Sequence, residues 1–181
     1  MHNQDKILTI DLDGVICGSP YPFKLGINKK ILNPKSEPPK AFVPPQIFLN
    51  FTDKIRYGYR PILPNIKETL EVLQKRRKLI LLTGRRSSPT KWLEQNHIKE
   101  FFQEIIFNQT RFGSSHYKLL KIQEIGSQEH IDDDIQTIQL LNDRANCKLF
   151  FRTWNYNQEF STPKNIQKIN DFKQLVKLIK E

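Results

Sequence analysis

KILTIDLDGVICGS (residues 6–19) ends a short apolar run on two carboxylates, Asp11 and Asp13, and follows them at once with Gly14. Residues 6–10 read as a strand covered on both faces, since β-branched side chains dominate and almost nothing polar interrupts them. Such a strand gains nothing by ending in buried carboxylates, because taking a carboxylate out of water costs several kcal/mol unless a cation or hydrogen-bond donors meet it. The stretch therefore predicts a central strand that delivers two acids to a site.

The same pattern returns along the chain. LILLTGRR (residues 79–86) is a second apolar strand ending in Thr83 and Gly84, and EHIDDD (residues 129–134) is a third ending in Asp132, Asp133 and Asp134. FFQEIIF (101–107) and KLFF (148–151) supply two more strands. Between them, PILPNIKETLEVLQKRRK carries Ile66, Leu70 and Leu73 at helical spacing, and Ser88-Pro89 opens a helix bearing Trp92 and Leu93. SSHYKLLKIQEIG begins a helix near Ser115 that Gly126 ends, and residues 135–141 form a further one. Asp171 and Gln174 have capping-box spacing before a last helix that buries Phe172, Leu175, Val176 and Ile179. Strands alternating with helices predict an α/β fold: a Rossmann-like, mostly parallel sheet with helices on both faces.

Residues 19–59 break this rhythm. They hold seven of the eleven prolines and a series of aromatic residues that includes Phe23, Phe42, Phe48, Phe51 and Tyr57. Proline excludes long helices there, while the aromatic content is too high for a disordered linker. The expected organisation is a core of residues 1–18 and 60–181, with residues 19–59 as a small cap inserted after the first strand.

At 181 residues the chain suits one domain with a substantial core. Cys17 and Cys147 have no spacing that suggests a disulfide framework or zinc site, and no apolar run approaches the ~20 residues that span a bilayer. A soluble, cytoplasmic protein with no membrane partner is the expectation. The formal charge of +10 raises the local concentration of polyanions and of small phosphorylated molecules alike.

Polar groups thus follow three strands at the end where open α/β sheets bind ligands. Asp11 and Asp13, two apart in an extended segment, send their side chains to one side. With Asp132 and Asp133 they make a concentration of like charge that calls for a counter-ion, and hard oxygen donors suit Mg²⁺. Thr83 and Lys118 offer the hydroxyl and the cation that hold a phosphate while charge develops on its oxygens.

DLDGV (11–15), LLTGR (81–85), a lysine early in a helix at Lys118, and IDDD (131–134) resemble, in order and strand context, the four motifs of the haloacid dehalogenase-like phosphatase superfamily. The resemblance covers roughly residues 6–152. It implies that Asp11 is the nucleophile in a two-step transfer through an aspartyl phosphate, and that Asp13 is the general acid and then the general base. It also implies Mg²⁺ held by Asp11, the Asp13 main-chain carbonyl and Asp132, with Asp133 in support, and phosphate held by Thr83, Gly84, Lys118 and the backbone at Gly14. Lys121 competes with Lys118 for its role, and Asp134 with Asp133. RTWNYNQEF (152–160), with Trp154-Asn155 after the strand that follows the acids, is similar to the 5'(3')-deoxyribonucleotidase and related nucleotidase branch. That likeness makes a nucleoside monophosphate the expected substrate, with Arg85, Phe23 and Tyr57 as candidate contacts. Removal of terminal phosphates from DNA or RNA, and phosphate-ligand binding without turnover, are the alternatives. His130 is expected to be structural or solvent-facing, and Cys17 carries no sign of a thiol mechanism.

Overall fold

The computed structural model describes residues 5–18, 60–155 and 157–180. The expected cap, with Phe23 and Tyr57, lies outside them. Six strands form one sheet: β1 (Ile7–Ile10), β2 (Lys78–Thr83), β3 (Glu104–Phe107), β4 (Glu129–Asp132), β5 (Lys148–Arg152) and β6 (Gln167–Ile169), in the order β3-β2-β1-β4-β5-β6. Every pairing is parallel, with Ile10 beside Leu81 on one side and beside Ile131 on the other. The mostly parallel α/β architecture expected from the sequence is the one observed.

The helices are α1 (Ile66–Gln74), α2 (Thr90–Gln95), α3 (Ser114–Ile125), α4 (Ile135–Arg144) and α5 (Gln174–Leu178). Strand alternation sorts them onto two faces. Leu8, Ile10, Leu81, Ile131 and Phe150 pack with Leu70 of α1, Leu93 of α2 and Leu175 of α5, whereas Leu82, Leu149 and Phe151 pack with Ile122 of α3 and Ile138 and Leu141 of α4. Both faces are therefore covered, which is why the strands read as nearly continuous apolar runs. Gly126 ends α3 in the left-handed conformation (φ 64°), its N–H bonded to Ile122 O. None of the helices described is long and apolar enough to cross a membrane.

Two local expectations are corrected. β6 was not expected; its three residues carry too little pattern to read alone, and pairing with β5 creates the strand. The capping box expected at Asp171 does not form: the helix begins at Gln174 with Lys173 as N-cap and no side-chain cap bond, while Asp171 Oδ1 accepts from Lys173 N (2.9 Å) and Gln174 Oε1 from Asn170 N (3.3 Å).

The topology fixes where the acids meet. Connections from β1 run outward through β2 to β3, then cross back to β4 on the other side of β1. The carboxyl ends of β1 and β4 thus flank the point where the winding reverses, the usual ligand crevice of such sheets. After Asp11 the chain turns sharply, with Ile16 N and Cys17 N on Leu12 O and Gly14 N on Cys17 O. Gly18 N bonds Pro61 O and Leu63 N bonds Ile16 O, so the chain on either side of residues 19–59 is drawn together at the crevice rim.

Candidate active site

Asp11 lies one residue past β1, Asp132 ends β4, and Lys118 rises from the second turn of α3 between them; all three are buried. Lys118 Nζ lies 2.9 Å from Asp11 Oδ1 and 2.7 Å from Asp132 Oδ2. Asp11, Asp132 and Asp133 present carboxylate oxygens that all fall within 4.8 Å of one another. One ammonium does not balance three carboxylates at that spacing, and an all-oxygen donor set fits Mg²⁺.

The electrostatics follow from this crowding. Burial pushes the Asp11 carboxyl up from 3.8 to about 7 against the attraction of Lys118, with Asp132 and Asp13 adding to the rise. Burial acts on Asp132 in the same sense, but there Lys118 and His130 prevail and hold it well below the usual carboxylate range. The two carboxylates hold Lys118 above the ordinary lysine value despite its burial. A proton resting on Asp11 is the charge a divalent cation would replace.

Asp13 faces a different environment. Arg85 donates to both of its oxygens, Nε to Oδ2 at 2.7 Å and Nη2 to Oδ1 at 2.5 Å, and Arg60 Nη1 joins it at Oδ1. Burial alone would raise its pKa, yet the Arg85 hydrogen bonds and the two guanidinium charges bring it below the ordinary range. Cys17 Sγ lies 3.6 Å from Asp13 Oδ1, and burial beside that carboxylate pushes the thiol up to about 12, which removes it as a nucleophile at neutral pH.

Thr83 is buried at the end of β2, and its Oγ1 accepts from Arg85 N (3.3 Å). The two glycines are there for space. A Cβ on Gly84 would come within 2.0 Å of Ser114 Oγ at the start of α3, and one on Gly14, whose φ is 75°, within 1.9 Å of Asp133 Oδ2.

The two open assignments separate geometrically. Lys121 pairs with Glu124 on the surface (2.7 Å), so Lys118 is the lysine among the acids. Asp134 caps α4 by accepting from Gln136 N, Thr137 N and Thr137 Oγ1, so Asp133 is the one that joins the cluster. Arg85, expected to meet substrate, is engaged with Asp13.

Other neighbours were not expected from the sequence. His130 is fully buried and bridges Asp132 Oδ2 (3.2 Å) and Thr9 Oγ1 (2.9 Å). Its spacing of two from Asp132 on a strand, which puts both side chains on one face, was the available signal. Arg60 sits at the far side of residues 19–59, and no local pattern ties it to Asp13. In the loop after β5, Asn155 is exposed and the buried asparagine is Asn157, whose Nδ2 donates to Asp133 O.

No family model matches the sequence, and no curated protein matches it. Solved structures do match in shape. A HAD phosphatase from Thermococcus onnurineus superposes with a TM-score of 0.63 at 16% identity, covering 96% of this chain and 97% of that one. The L-2-haloacid dehalogenase of Xanthobacter autotrophicus, with chloropropionic acid covalently bound, gives 0.65 at 10% identity over 97% and 98% of the two chains. The HAD-hydrolase YfnB of Bacillus subtilis, bound to magnesium, gives 0.59 at 15% identity over 97% and 99%. At these identities the likeness concerns the fold, and that fold is the one shared by haloacid dehalogenase-like hydrolases.

Proposed function

We propose that the protein is a Mg²⁺-dependent phosphomonoester hydrolase that works through an aspartyl phosphate, with nucleoside monophosphates as its substrates. The observation that carries the reaction class is Lys118 bridging Asp11 and Asp132, with Asp133 close enough to complete an all-oxygen donor set. Displacement of a halide needs no divalent cation and no proton for the leaving group, so that cluster and the second acid Asp13 favour phosphoryl transfer over dehalogenation.

In this reading Asp11, the Asp13 main-chain carbonyl and Asp132, with Asp133 in support, would hold the cation, which would supply positive charge to the phosphoryl oxygens and keep Asp11 ionised. Asp11 attacks phosphorus; the P–O bond to the alcohol breaks, and the departing oxygen takes a proton from Asp13. Water then attacks the same phosphorus and gives its proton to Asp13, the bond to Asp11 breaks, and inorganic phosphate leaves. Lys118 and Thr83 hold phosphoryl oxygens in both steps, a kind of interaction worth about 10²–10³-fold per donor. The guanidinium grip keeps Asp13 ionised, as accepting the water proton requires, and an anionic substrate drawing Arg60 or Arg85 aside raises its pKa so that it takes up a solvent proton for its role as acid.

Support for a nucleotide comes from the RTWNYNQEF stretch and from the aromatic content of residues 19–59, since rings stack on bases. The test is phosphate release, with and without Mg²⁺, from 5'- and 3'-nucleoside monophosphates, sugar phosphates and end-phosphorylated oligonucleotides. Mg²⁺-dependent release from the monophosphates, lost in Asp11→Asn, is expected. Preference for oligonucleotides moves the function to nucleic-acid end processing, with affinity falling steeply in salt. Phosphate binding with no release from any of them replaces the enzyme with a binding protein.

A further inference from the structure

We infer that Trp154 and Asn157, in the loop after β5, are positioning residues that clamp the two acid-bearing loops together and thereby fix the metal ligands. The inference rests on the Mg²⁺ reading above for its functional consequence, and on hydrogen bonds alone for its geometry. Trp154 Nε1 donates to Gly14 O (2.9 Å), in the loop that carries Asp13. Asn157 Nδ2 donates to Asp133 O (2.9 Å) and Arg152 O (3.0 Å), while its Oδ1 accepts from Trp154 N (2.5 Å). Both amide protons and one acceptor site of a fully buried asparagine are thus spent on joining β5, its own loop and the acid loop after β4.

The bonds fall on informative peptides. Asp133 O belongs to the peptide whose N–H, that of Asp134, donates to Asp132 Oδ1 (3.0 Å). A rotation of that peptide that frees its oxygen from Asn157 also withdraws its proton from Asp132, so Asn157 sets the carboxylate through one rigid plane. On the other side, Gly14 N is held by Cys17 O and Gly14 O by Trp154, which fixes two successive peptides directly after Asp13. The indole is held in turn by the Arg152 guanidinium, 4.5 Å above its ring. Outer partners of this kind change metal affinity by about 10–100-fold when removed.

The test compares Asn157→Ala and Trp154→Phe, the latter keeping a ring while deleting the N–H, with Leu141→Ala, a core truncation in α4 that packs in the cluster on the other face of the sheet from the β1 loop and deletes none of these hydrogen bonds. Mg²⁺ affinity of metal-free protein is measured by calorimetry, and the amide ¹⁵N resonances of Val15 and Asp134 are followed because each shares a peptide with a clamped carbonyl. The expected result is a Mg²⁺ Kd raised about tenfold or more in both clamp variants, with Asp134 moving in Asn157→Ala and Val15 in Trp154→Phe, and Kd unchanged in Leu141→Ala. Kd values within twofold of wild type in the clamp variants overturn the inference. If Asn157→Ala does not fold, Trp154→Phe decides alone. If the wild-type protein binds no Mg²⁺, the metal reading falls, and the resonances still decide the clamp: unmoved, they overturn it.

Discussion

Arg85 grips Asp13 at both carboxylate oxygens, Nε on Oδ2 at 2.7 Å and Nη2 on Oδ1 at 2.5 Å. The two residues are 72 positions apart and come from the loops after β1 and β2. A fork-to-fork contact holds orientation as well as charge, which a lysine at the same place does not reproduce.

Arg85→Lys is therefore expected to loosen Asp13 and raise its pKa from the depressed value that the guanidinium pair maintains. Because Asp13 must be ionised to accept the water proton, the acidic limb of the kcat–pH profile moves to higher pH in the variant. Asp13→Asn, which removes proton transfer altogether, lowers kcat by about 10²–10⁴-fold. A pH–rate profile of Arg85→Lys that overlays the wild type would show that Asp13 does not govern that limb.

The raised Asp11 pKa makes Mg²⁺ binding depend on pH. With Asp11 protonated below about 7 in metal-free protein, each cation bound there displaces a proton, and Kd weakens by up to about tenfold per unit as pH falls from 7 to 5. The sign for stability is the reverse of the usual carboxylate. Asp11 has a folded value above its unfolded 3.8, so its contribution is complete below 3.8 and is lost as pH rises toward 7. Buried His130 lies below its ordinary 6.5 and acts in the opposite sense, its contribution being lost as pH falls below that value. The informative observable is therefore the rise in Tm caused by Mg²⁺ over EDTA, expected to grow from pH 5 to pH 8. A rise that is flat across this range would contradict the Asp11 assignment.

Gly14→Ala places a methyl where Asp133 now lies. Two costs add: a left-handed backbone at φ 75° and a Cβ 1.9 Å from Asp133 Oδ2. The backbone term alone is about 1–3 kcal/mol, measurable by denaturant unfolding in EDTA. Displacement of Asp133 also weakens Mg²⁺ binding, and calorimetry on folded variant protein checks that separately. A destabilised variant with wild-type Mg²⁺ affinity would take Asp133 out of the donor set.

What the sequence revealed and what it hid follow from range. Asp11, Thr83 and Asp132 were legible because each closes an apolar strand, and a parallel sheet brings strand ends of one sense to one side. Lys118 was legible through the resemblance and ambiguous by spacing alone; burial between two acids separates it from Lys121. Arg60 and Asn157 were hidden because their partners lie 47 and 24 residues away and neither sits in a periodic segment. β6 was hidden because its three residues acquire strand geometry only by pairing with β5.

Lys118→Met separates folding from catalysis. Removing the ammonium leaves Asp11 and Asp132 as buried acids without their shared cation, a change that costs about 3–5 kcal/mol. The loss is largest at pH 8 in EDTA, where Asp11 is least readily protonated and stays as an unpaired buried anion. A divalent cation can take over that balancing role, so Mg²⁺ is expected to raise the variant's Tm by more than it raises the wild type's. Turnover does not return with stability, because the cation cannot stand where the ammonium meets the phosphoryl oxygens; kcat stays about 10²–10³-fold down. Thermal unfolding with and without Mg²⁺, paired with single-turnover phosphate release, measures both arms. A variant as active as wild type once Mg²⁺ has restored its Tm would reduce Lys118 to a structural counter-ion and move the phosphate-holding role to Thr83 and the backbone.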